Sequence, residues 1–571
     1  MMKDVSAGEA GMSKAMKSLV NSSSILSIQR NFLIFERLLS KQFFDSIMKL
    51  PFLNFPILAY ITIALVSCNK SHKIQPRLNV LFIAIDDMKP MLGCYGDTTT
   101  LTPHMDKLAD RGTVFLNNHC QEALCGPTRA SLLLGMYPDQ TRIWDFSMKF
   151  RDIHPNIVTL PQHFRNNGYT TICNGKIFDY RNVDQYEDSL SWSETAFPRS
   201  GGVSRYYNEI TGPVVGNFYH SPLVKARFAE LKPEAEKQGI RPTLLLHEHI
   251  KPATERLDLP DDAYIDGVFA KKTVKDLERL AKGDKPFFLS VGFHRPHLPF
   301  TAPKKYWDLY NRDEIEVSNI QTKAKNPVDY AYHTSGHLRS YSDEEGNFIY
   351  DTLRNGGILT EDQQLNLIHG YKAAVTYIDA QIGKILNTLE DLELQDNTII
   401  VLWGDHGFHL GDHNMWGKHS NFEQATRAPL IFSIPNQDAY KTNMPTEFVD
   451  IYPTLCELAG LELPTHLSGE SLVELINGNE VRGDQYAISQ YMRGDKMGYT
   501  IRDRRYRYVE WIEEGPHKNA NADMTRIADR QFFDYEKDPL ETVNHADSEE
   551  YHDVQEKLAL QLHAFYEEIS N

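Results

Sequence analysis

Side chains that could take part in catalysis follow four apolar segments of the sequence. They are Asp86 and Asp87 after 78–85, Lys176 after 169–173, His294 and His297 after 286–291, and Asp405 and His406 after 398–402. Such apolar runs are typical of strands buried on both faces of a parallel sheet, and ligands bind beyond the carboxyl ends of these strands. One charged strand end is commonplace, but four in one chain predict a shared site.

Two of these strand ends indicate a metal site. The adjacent carboxylates of Asp86 and Asp87 repel each other unless a cation or a proton lies between them. By itself the pair is also compatible with a helix N-cap beside a charged neighbour. With Asp405 as a third carboxylate, the sequence favours a hard divalent cation, which prefers oxygen ligands. His406 fits such a cation less well, because its ligand atom is a nitrogen.

The segment 124–135 (LCGPTRASLLLG) predicts a helix, since its proline suits a first turn and its last glycine can end the helix. Cys125 would lie at the N-terminus, where the helix dipole and free N–H groups favour an anion. Arg129, one turn later, could hold that anion. The ordinary alternative is a buried cysteine before a helix. Lys176 and Lys418 could complete a set of cations around an oxyanion.

The elements that would position these groups alternate between strands and helices. The clearest helix begins at Thr360, which can form a capping box with Gln363. Apolar residues follow it at helical spacing: Leu365, Ile368, Tyr371, Val375, Ile378, Ile382, Ile385 and Leu389. The segment 430–434 is a fifth strand candidate. This alternation predicts an α/β fold with a mostly parallel sheet.

The C-terminal part of the chain has a different pattern. The segments 486–491, 498–502 and 505–511 are short alternating runs, which predict a small antiparallel sheet. A helix near 551–569 would close it. By contrast, 181–260 is rich in Tyr, Pro and Gly, and we expect irregular surface insertions there that shape the substrate pocket.

The pentapeptide 125–129 (CGPTR) resembles the C-x-P-x-R signature of the type I sulfatases, in which the cysteine is oxidised to formylglycine. The resemblance continues in the same order along the chain. The matching segments are 79–97 (NVLFIAIDDMKPMLGCYGD), 125–146, 287–300 (FFLSVGFHRPHLPF), 404–422 (GDHGFHLGDHNMWGKHSNF) and 486–511. The signature is moderately specific alone and strongly specific together with the Asp-Asp and Asp-His elements. The iduronate-2-sulfatases are the branch that the chain resembles most.

The resemblance implies an alkaline-phosphatase-like α/β fold. This fold has a large, mixed but mostly parallel sheet sandwiched by helices, with a smaller C-terminal subdomain built on an antiparallel sheet. The catalytic domain would comprise residues 78–480 and the C-terminal subdomain residues 481–571.

The resemblance also implies roles for the site residues. One divalent cation, Ca²⁺ or alternatively Mg²⁺, would be held by Asp86, Asp87, Asp405, His406 and the formylglycine formed from Cys125. The sulfate group would be bound by Arg129, Lys176, His297 and Lys418. The hydrated aldehyde would attack sulfur through one hydroxyl, and the other would then expel sulfate. His297 would protonate the leaving alcohol, since imidazole titrates near neutral pH, and His294 would contact the substrate. A formylglycine-generating or sulfatase-maturating enzyme would be a partner.

One residue departs from the iduronate branch, which usually has a histidine three positions after the active-site lysine. This chain has Asp179 there, and we expect it to face the sugar beyond the sulfate. A carboxylate would repel a uronate by about 4 kcal/mol at about 4 Å and an effective dielectric of about 20, unless a cation intervenes. Asp179 therefore favours a sulfated neutral or amino sugar over iduronate.

Two other functions stay open at this point. A phosphoester or phosphonate hydrolase of the same fold would usually carry serine or threonine in place of Cys125. A non-catalytic, glycan-binding lipoprotein would have lost site residues, whereas every expected ligand position is filled. The agreement of the site chemistry favours a sulfatase acting on a glycosaminoglycan-type or other sulfated glycan.

The N-terminal part of the chain resembles a targeting segment. Residues 1–47 carry no clear pattern and are expected to be a mis-assigned leader, whereas 48–68 resembles a lipoprotein signal peptide that ends at Cys68, the lipidated residue. A membrane-spanning helix is the alternative, although the apolar run 50–66 is short for one and contains two prolines. With 69–77 as a tether, we expect an exported bacterial lipoprotein, periplasmic or anchored to the outer membrane through its lipid.

The composition excludes several classes of protein. A formal net charge of −17 repels a phosphate backbone, so we expect no nucleic-acid partner. Six cysteines in 571 residues, with no C-x-x-C pair, are too few for a disulfide scaffold and predict no structural zinc site.

Overall fold

The apolar segments predicted to be strands form the centre of a large β-sheet. The computed structural model describes residues 77–184, 187–197, 214–216, 218–479 and 485–570. Its strands are β1 (Asn79–Ile85), β2 (Thr113–His119), β3 (Thr170–Gly175), β4 (Thr254–Leu257), β5 (Phe287–Phe293), β6 (Phe300–Pro303), β7 (Thr398–Gly404), β8 (His409–Leu410), β9 (Trp416–Gly417), β10 (Leu430–Ser433), β11 (Tyr440–Glu447), β12 (Ala487–Arg493), β13 (Lys496–Arg502), β14 (Tyr506–Ile512) and β15 (Ile527–Asp534). The large sheet has the strand order β11-β2-β10-β7-β1-β5-β3.

Strand β1 lies near the middle of this sheet and is buried along its whole length. It pairs in parallel with β5 and β7, so that Ile85 lies beside Phe293 on one side and Gly404 on the other. Strand β3 pairs in parallel with the far side of β5. The carboxyl ends of these four strands therefore lie at one edge of the sheet, as the sequence predicted.

Strand β10 runs in the opposite direction and makes the sheet mixed. It pairs antiparallel with both β7 and β2. A parallel return would need a crossover connection, usually a helix, whereas the longest helix in 405–429 has four residues, Glu423–Thr426. This return segment carries Asp405, His406 and Lys418 away from the end of β7.

Helices cover both faces of the large sheet. The α-helices of at least seven residues in the described ranges are α1 (Pro103–Ala109), α2 (Cys125–Leu134), α3 (Leu160–Asn166), α4 (Pro222–Gln238), α5 (Pro242–His249), α6 (Ile265–Leu280), α7 (Glu361–Asp391), α8 (Ile451–Leu458) and α9 (His552–Ser570). Successive side chains of β1 enter two different cores. Leu81 and Ile83 pack in one core with residues of α6 and α7, whereas Val80 and Phe82 pack in the other with residues of α2 and α8.

Helix α7 confirms the predicted capping box. The Thr360 side chain accepts from the Gln363 backbone N–H at 3.3 Å, and the Gln363 side chain accepts from the Thr360 backbone N–H at 2.9 Å. The residues predicted at helical spacing from Ile368 to Leu389 all lie in the core, and Leu365 is half-buried.

The C-terminal sheet has four antiparallel strands in the order β12-β13-β14-β15, one more than predicted. The additional strand, β15, is half-buried at its first two residues, exposed at Asp529 and Arg530, and buried only in its second half, so its sequence lacks a continuous strand pattern. Helix α9 covers the sheet by packing Leu558, Leu562 and Phe565 against residues that include Tyr499 and Ile501.

The prediction of irregular structure over 181–260 is wrong for its second half, where α4, α5 and β4 lie. Helix α4 is mostly exposed and buries only Val224 and Ala235, so its sequence shows no apolar stripe by which a helix could be recognised.

The predicted targeting segment lies outside the described residues. This applies to 1–47, to 48–68 with its Cys68, and to the tether 69–77 except its last residue. Within the described ranges, no helix combines the length and the apolar character that crossing a bilayer requires.

The end of β11 buries two carboxyl groups, those of Glu447 and Asp450, beside the C-terminal sheet. Glu447 accepts hydrogen bonds from the Gln121 amide at 3.2 Å, the Tyr137 hydroxyl at 2.8 Å and the Ile488 backbone N–H at 2.8 Å. Burial and the charge of Asp450 raise the pKa of Glu447 to about 8. Burial likewise raises the pKa of Asp450 to about 7.

We expect Glu447→Gln to reduce the pH dependence of stability. A carboxyl whose pKa rises on folding favours the folded state fully at low pH and loses this contribution as the pH rises from its ordinary pKa towards 8. The free energy of unfolding of the wild type should therefore fall relative to that of Glu447→Gln between about pH 5 and pH 8, by up to about 1.4 kcal/mol per pH unit. Urea unfolding measures this, with the exposed Glu457→Gln as control. If the free energies of unfolding of the wild type and of Glu447→Gln differ by the same amount at every pH, the prediction is wrong.

Candidate active site

The predicted site groups meet at the carboxyl edge of the large sheet. The backbone N–H of Asp86 donates to the last residue of β5, and that of Asp405 donates to the last residue of β1, both at 3.1 Å. The backbone N–H of Lys176 donates to the Gly292 carbonyl oxygen at 2.8 Å. Three of the four predicted strand ends are thus joined by backbone hydrogen bonds to neighbouring strands.

Two glycines allow the close approach that positions Lys176. A Cβ on Gly175 would lie 2.1 Å from the Gly292 carbonyl oxygen, and a Cβ on Gly292 would lie 1.9 Å from the Lys176 carbonyl oxygen. Gly175 also has a left-handed φ of 82°. Side chains are excluded at both positions, so the end of β3 can lie directly against β5.

Helix α2 holds Cys125 in its first turn and ends at Gly135, which has a left-handed φ of 67°, as the sequence predicted. All ten residues of the helix are buried, and Cys125 is only 1% exposed. The Thr128 hydroxyl donates to the backbone oxygen of Asp405 at 3.1 Å. This bond ties the N-terminal turn of α2 to the end of β7.

Arg129 is completely buried and joins α2 to the strand ends. Its Nε donates to Asp405 Oδ2 at 2.9 Å, its Nη2 lies 3.6 Å from Asp86 Oδ1, and its Nη1 donates to the Ile177 carbonyl oxygen at 3.0 Å. The guanidinium therefore organises the carboxylates of the site and adds a fixed positive charge to it.

Lys418 and Lys176 bring two ammonium groups to the same cluster. Lys418 Nζ lies 2.5 Å from Asp87 Oδ1 and 2.8 Å from Cys125 Sγ. Lys176 Nζ lies 2.7 Å from Asp86 Oδ2. The cluster has three carboxylates, from Asp86, Asp87 and Asp405, and three cations, from Arg129, Lys176 and Lys418. Since these charges balance, an added divalent cation would make the site attractive to an anion.

The carboxylates of the cluster differ in pKa. Burial raises the pKa of Asp87 to about 6, with Lys418 opposing the rise and Asp86 adding to it. Burial and the charge of Asp86 raise the pKa of Asp405 to about 7. Burial would also raise the pKa of Asp86, but Lys176, His297 and Arg129 lower it well below its ordinary value. Burial is thus the main reason why the pKa values of Asp87 and Asp405 are high although three cations surround the cluster.

Four side chains of the cluster fit a metal ion. Ligand atoms of Asp86, Asp87, Cys125 and His406 lie within 4.8 Å of one another, and all four residues are buried. Asp86 Oδ1, Asp87 Oδ2 and His406 Nε2 have no hydrogen-bond partner in the described structure. Buried polar atoms are normally satisfied, so this convergence of unpartnered donor atoms indicates a cation site.

His406, which the sequence pattern fitted less well, points its free nitrogen at the carboxylates. Its Nδ1 must carry the proton, because it lies 2.9 Å from the Gly407 carbonyl oxygen. Its Nε2 then presents a lone pair 3.4 Å from Asp87 Oδ1 and 3.5 Å from Asp405 Oδ1. Burial and Lys418 lower the pKa of His406, so no proton on Nε2 offsets this repulsion. A cation between these atoms would do so.

Asp405 lies beside the group of four. Its Oδ1 accepts the backbone N–H of Asp87 at 2.9 Å, and its Oδ2 is bound by Arg129. The structure therefore brings all five residues of the predicted ligand set into one buried cluster.

The two predicted histidines follow β5. His297 Nδ1 donates to the Leu298 carbonyl oxygen at 2.6 Å, and burial together with Lys418 lowers the pKa of His297 well below its ordinary value. The resting imidazole is therefore neutral and can accept a proton on Nε2. The ring of His294 stacks on Phe269 at 5.7 Å, and its buried Nδ1 is unpartnered.

Asp179 is buried and neutralised by its own neighbours. Arg181 Nε and Nη2 donate to its two oxygens, each at 2.8 Å, and Lys176 Nζ lies 3.4 Å away. These cations, against the opposing effect of burial, lower the pKa of Asp179 strongly. The expected repulsion of a uronate was conditional on no cation intervening, and Arg181 does intervene, so the electrostatic argument against a uronate loses its force.

Sequence reasoning missed the roles of two residues at and around the site. Tyr371, in the middle of α7, donates to the Asp87 carbonyl oxygen at 2.8 Å and accepts from the Lys89 backbone N–H at 2.9 Å. The ring of His337 lies 4.9 Å from that of His297. The sequence predicted Tyr371 only as one of the apolar positions of a helix, and His337 belongs to no motif. Only the tertiary contacts of these two residues show that they lie at the site.

Comparisons with known proteins find similarity over most of the chain. The chain matches the sulfatase domain family over residues 78–461, and the family described as N-sulphoglucosamine sulphohydrolase, C-terminal, over residues 411–568. The iduronate 2-sulfatase of Homo sapiens is 30% identical over 550 residues, which cover 86% of this chain and 94% of the human protein.

Solved structures resemble the chain in fold. The phosphonate monoester hydrolase of Agrobacterium radiobacter has a TM-score of 0.63 and 22% identity, covering 86% of this chain and 96% of its own. The protein BT4656, in complex with its substrate D-glucosamine-2-N,6-O-disulfate, has a TM-score of 0.61 and 20% identity, covering 86% and 98%. At these identities the likeness shows the fold alone, and it confirms the predicted alkaline-phosphatase-like α/β class.

Proposed function

The chain belongs to the sulfatase family and hydrolyses sulfate esters; from that premise we propose that its substrate is a sulfated carbohydrate and that it uses one divalent cation and a formylglycine made from Cys125. The observation that carries the proposal is the buried cluster in which Cys125 lies at a helix N-terminus among three carboxylates and three cations. A negatively charged, tetrahedral group fits such a cluster once its carboxylates are bound to a cation.

The cation would be held by Asp86, Asp87, Asp405, His406 and residue 125. The carboxylate-rich donor set favours a hard ion, Ca²⁺ or else Mg²⁺. When bound, such an ion polarises the sulfate oxygens as a Lewis acid. The chain itself keeps the donors in place: Arg129 and Tyr371 hold the carboxylate loops, and the Gly407 carbonyl fixes the His406 tautomer.

Conversion of Cys125 to formylglycine would replace a poorly nucleophilic thiol by a better nucleophile. Burial and the charge of Asp86 raise the pKa of the Cys125 thiol far above its ordinary value, although Lys418 and Lys176 oppose the rise. A thiol at this position is therefore protonated at neutral pH and weakly nucleophilic. A hydrated aldehyde would offer one hydroxyl for attack on sulfur and a second for release of sulfate. The partner that this requires is a formylglycine-forming enzyme.

The remaining residues would bind the anion and move protons. Lys418 and Lys176 stay charged, because their carboxylate neighbours more than offset the effect of burial on their pKa values. They can therefore hold the sulfate oxygens, and the charge of Arg129 supports them. His297 is neutral at rest, and a bound sulfate would raise its pKa. It could then take up a proton and deliver it to the leaving alcohol.

The substrate class rests on the relatives. Iduronate 2-sulfatase, by its name, acts on a sulfated uronate, and BT4656 binds a disulfated glucosamine. We propose a sulfated glycan fragment of this general kind. We further propose export as a lipoprotein anchored through Cys68.

A phosphonate or phosphoester hydrolase is the second candidate, favoured by the fold likeness to phosphonate monoester hydrolase. Both reactions need an anion site and a nucleophile, so their relative rates must decide between them.

The test uses protein co-expressed with a formylglycine-forming enzyme. We expect it to hydrolyse members of a panel of sulfated mono- and disaccharides, with a kcat/KM at least about 100-fold above that for p-nitrophenyl phenylphosphonate. Cys125→Ala, purified in parallel, reports contaminating activity. A preference for the phosphonate over every sulfate ester would favour the second candidate instead.

A further inference from the structure

Lys251 is a lysine outside the predicted site that lies half-buried, just after helix α5. Its Nζ donates to the Ser340 hydroxyl at 3.0 Å and lies 3.9 Å from the ring centroid of Tyr341. Among the described residues, no carboxylate oxygen comes within 4.0 Å of this Nζ. Burial lowers the pKa of Lys251 to about 8, and no acidic neighbour offsets it. An anion bound beside this ammonium group would stabilise its charged form, which burial disfavours.

A chain of ring contacts connects Lys251 to the candidate active site. The ring of Tyr341, below Lys251 Nζ, lies 5.6 Å from that of His337, and His337 lies 4.9 Å from His297. Both Lys251 and Lys418 lower the pKa of His337 in addition to the dominant effect of burial, so His337 lies within the electrostatic reach of both lysines. Two rings, those of Tyr341 and His337, thus connect Lys251 to His297, so an anion bound at Lys251 would lie beyond the residues that bind the cleaved sulfate.

The backbone around Lys251 is fixed. Its N–H donates to the Ser342 hydroxyl at 2.9 Å, and its carbonyl oxygen accepts the Ser342 N–H at 2.7 Å. The Ala253 N–H donates to the Ser342 carbonyl oxygen at 2.9 Å. Two segments that are distant in sequence, 251–253 and 340–342, therefore form one rigid wall, with the short helix Gly336–Arg339 carrying His337 beside it.

We propose that Lys251 binds a second anionic group of the saccharide, a carboxylate or a further sulfate, beyond the sulfate that is cleaved. The inference rests on the proposed carbohydrate sulfatase activity and narrows its substrate to a saccharide with at least two negative charges. Asp179 does not oppose it, because Arg181 neutralises that carboxylate. The bound anion would be the counter-charge that Lys251 lacks in the chain.

The test compares three substrates of the matured enzyme. They are p-nitrophenyl sulfate, which carries one anionic group, a 2-O-sulfated uronate glycoside, and glucosamine 2-N,6-O-disulfate. Lys251→Met removes the charge at similar size, Lys251→Arg keeps it, and the exposed Lys282→Met is the matched control. We expect Lys251→Met to raise KM about tenfold or more for at least one doubly anionic substrate, with kcat and the KM for p-nitrophenyl sulfate nearly unchanged. Lys251→Arg should retain most of the affinity.

The pattern of losses identifies the anion. A selective loss on the uronate assigns a carboxylate, and a selective loss on the disulfate assigns a second sulfate. Equal losses on all three substrates, no loss on either doubly anionic substrate, or a wild type that hydrolyses only p-nitrophenyl sulfate would each overturn the inference. Thermal unfolding of Lys251→Met should match that of the wild type, since a purely structural role would lower it. A wild type inactive on every sulfate ester would refute the proposed function itself, which keeps the two failures distinct.

Discussion

Replacing Cys125 with alanine should lower the rate of sulfate ester hydrolysis by at least about 1,000-fold, because the nucleophile is lost while the anion site remains. Lys418 Nζ and Asp87 Oδ1 face Sγ at 2.8 and 4.0 Å, so the residue at this position contacts both the cation cluster and the carboxylates. Steady-state kinetics of Cys125→Ala against the wild type measure the loss. Mass spectrometry of the wild-type peptide should show the aldehyde in proportion to activity.

The control for this variant is Cys456→Ala, since Cys456 is also a buried, free cysteine but lies in α8, away from the cluster. It should keep nearly full activity. Full turnover by wild-type protein whose Cys125 is wholly unmodified would show that the thiol itself is sufficient, and the formylglycine proposal would then be wrong.

Replacing Asp87 with asparagine should remove the bound cation and lower activity about 100-fold or more, both together. The change takes a negative charge from a cluster in which Lys418 lies 2.5 Å from Asp87 Oδ1, so the remaining donors would bind a divalent ion much more weakly. Elemental analysis of the purified protein, expected to give one Ca²⁺ or Mg²⁺ per wild-type chain, measures occupancy. Activity assays with added metal measure its consequence.

Asp396→Asn is the matched control, because this aspartate is exposed and lies at the other end of β7 from the cluster. It should leave both metal content and rate unchanged. An Asp87→Asn protein with wild-type occupancy and wild-type rate would refute the ligand assignment.

The centre of the fold was predictable because each of its elements is specified by the pattern of its own residues. Strands β1, β5 and β7 are apolar on both faces, which suits burial between two layers of helices, and α7 carries its start signal and its periodicity in its own residues. The cluster could be predicted for a related reason: parallel strands bring their carboxyl ends to one edge, so residues distant in sequence had to meet there.

The two strands at one edge of the sheet, β2 and β11, were not predicted, because tertiary contacts replace the apolar pattern there. Strand β2 ends in three buried polar residues, Asn117, Asn118 and His119. Two of them have partners elsewhere in the fold: Asn118 donates to the Ala428 carbonyl oxygen, and His119 Nδ1 bonds to the Thr426 hydroxyl. Strand β11 begins exposed and contains a proline. Neither segment looks like a strand until its neighbours are known.

The same limit applies to the electrostatics of the site. The argument from Asp179 depended on whether a cation intervenes, and the cation that pairs most closely with this carboxylate is Arg181, two residues further along. Lys251 belongs to no motif, and what distinguishes it is the absence of a nearby carboxylate, which no pattern along the chain can reveal.

Tyr371 links the loops that follow β1 and β7 to the hydrophobic core. One hydroxyl, completely buried in the middle of α7, binds the backbone on both sides of Met88, and its ring stacks on Phe408 at 5.6 Å, two residues beyond His406. Opening either loop would break these contacts and expose a layer of the protein interior. We therefore expect loss of activity at high temperature to follow cooperative unfolding of that layer rather than local opening of the loops.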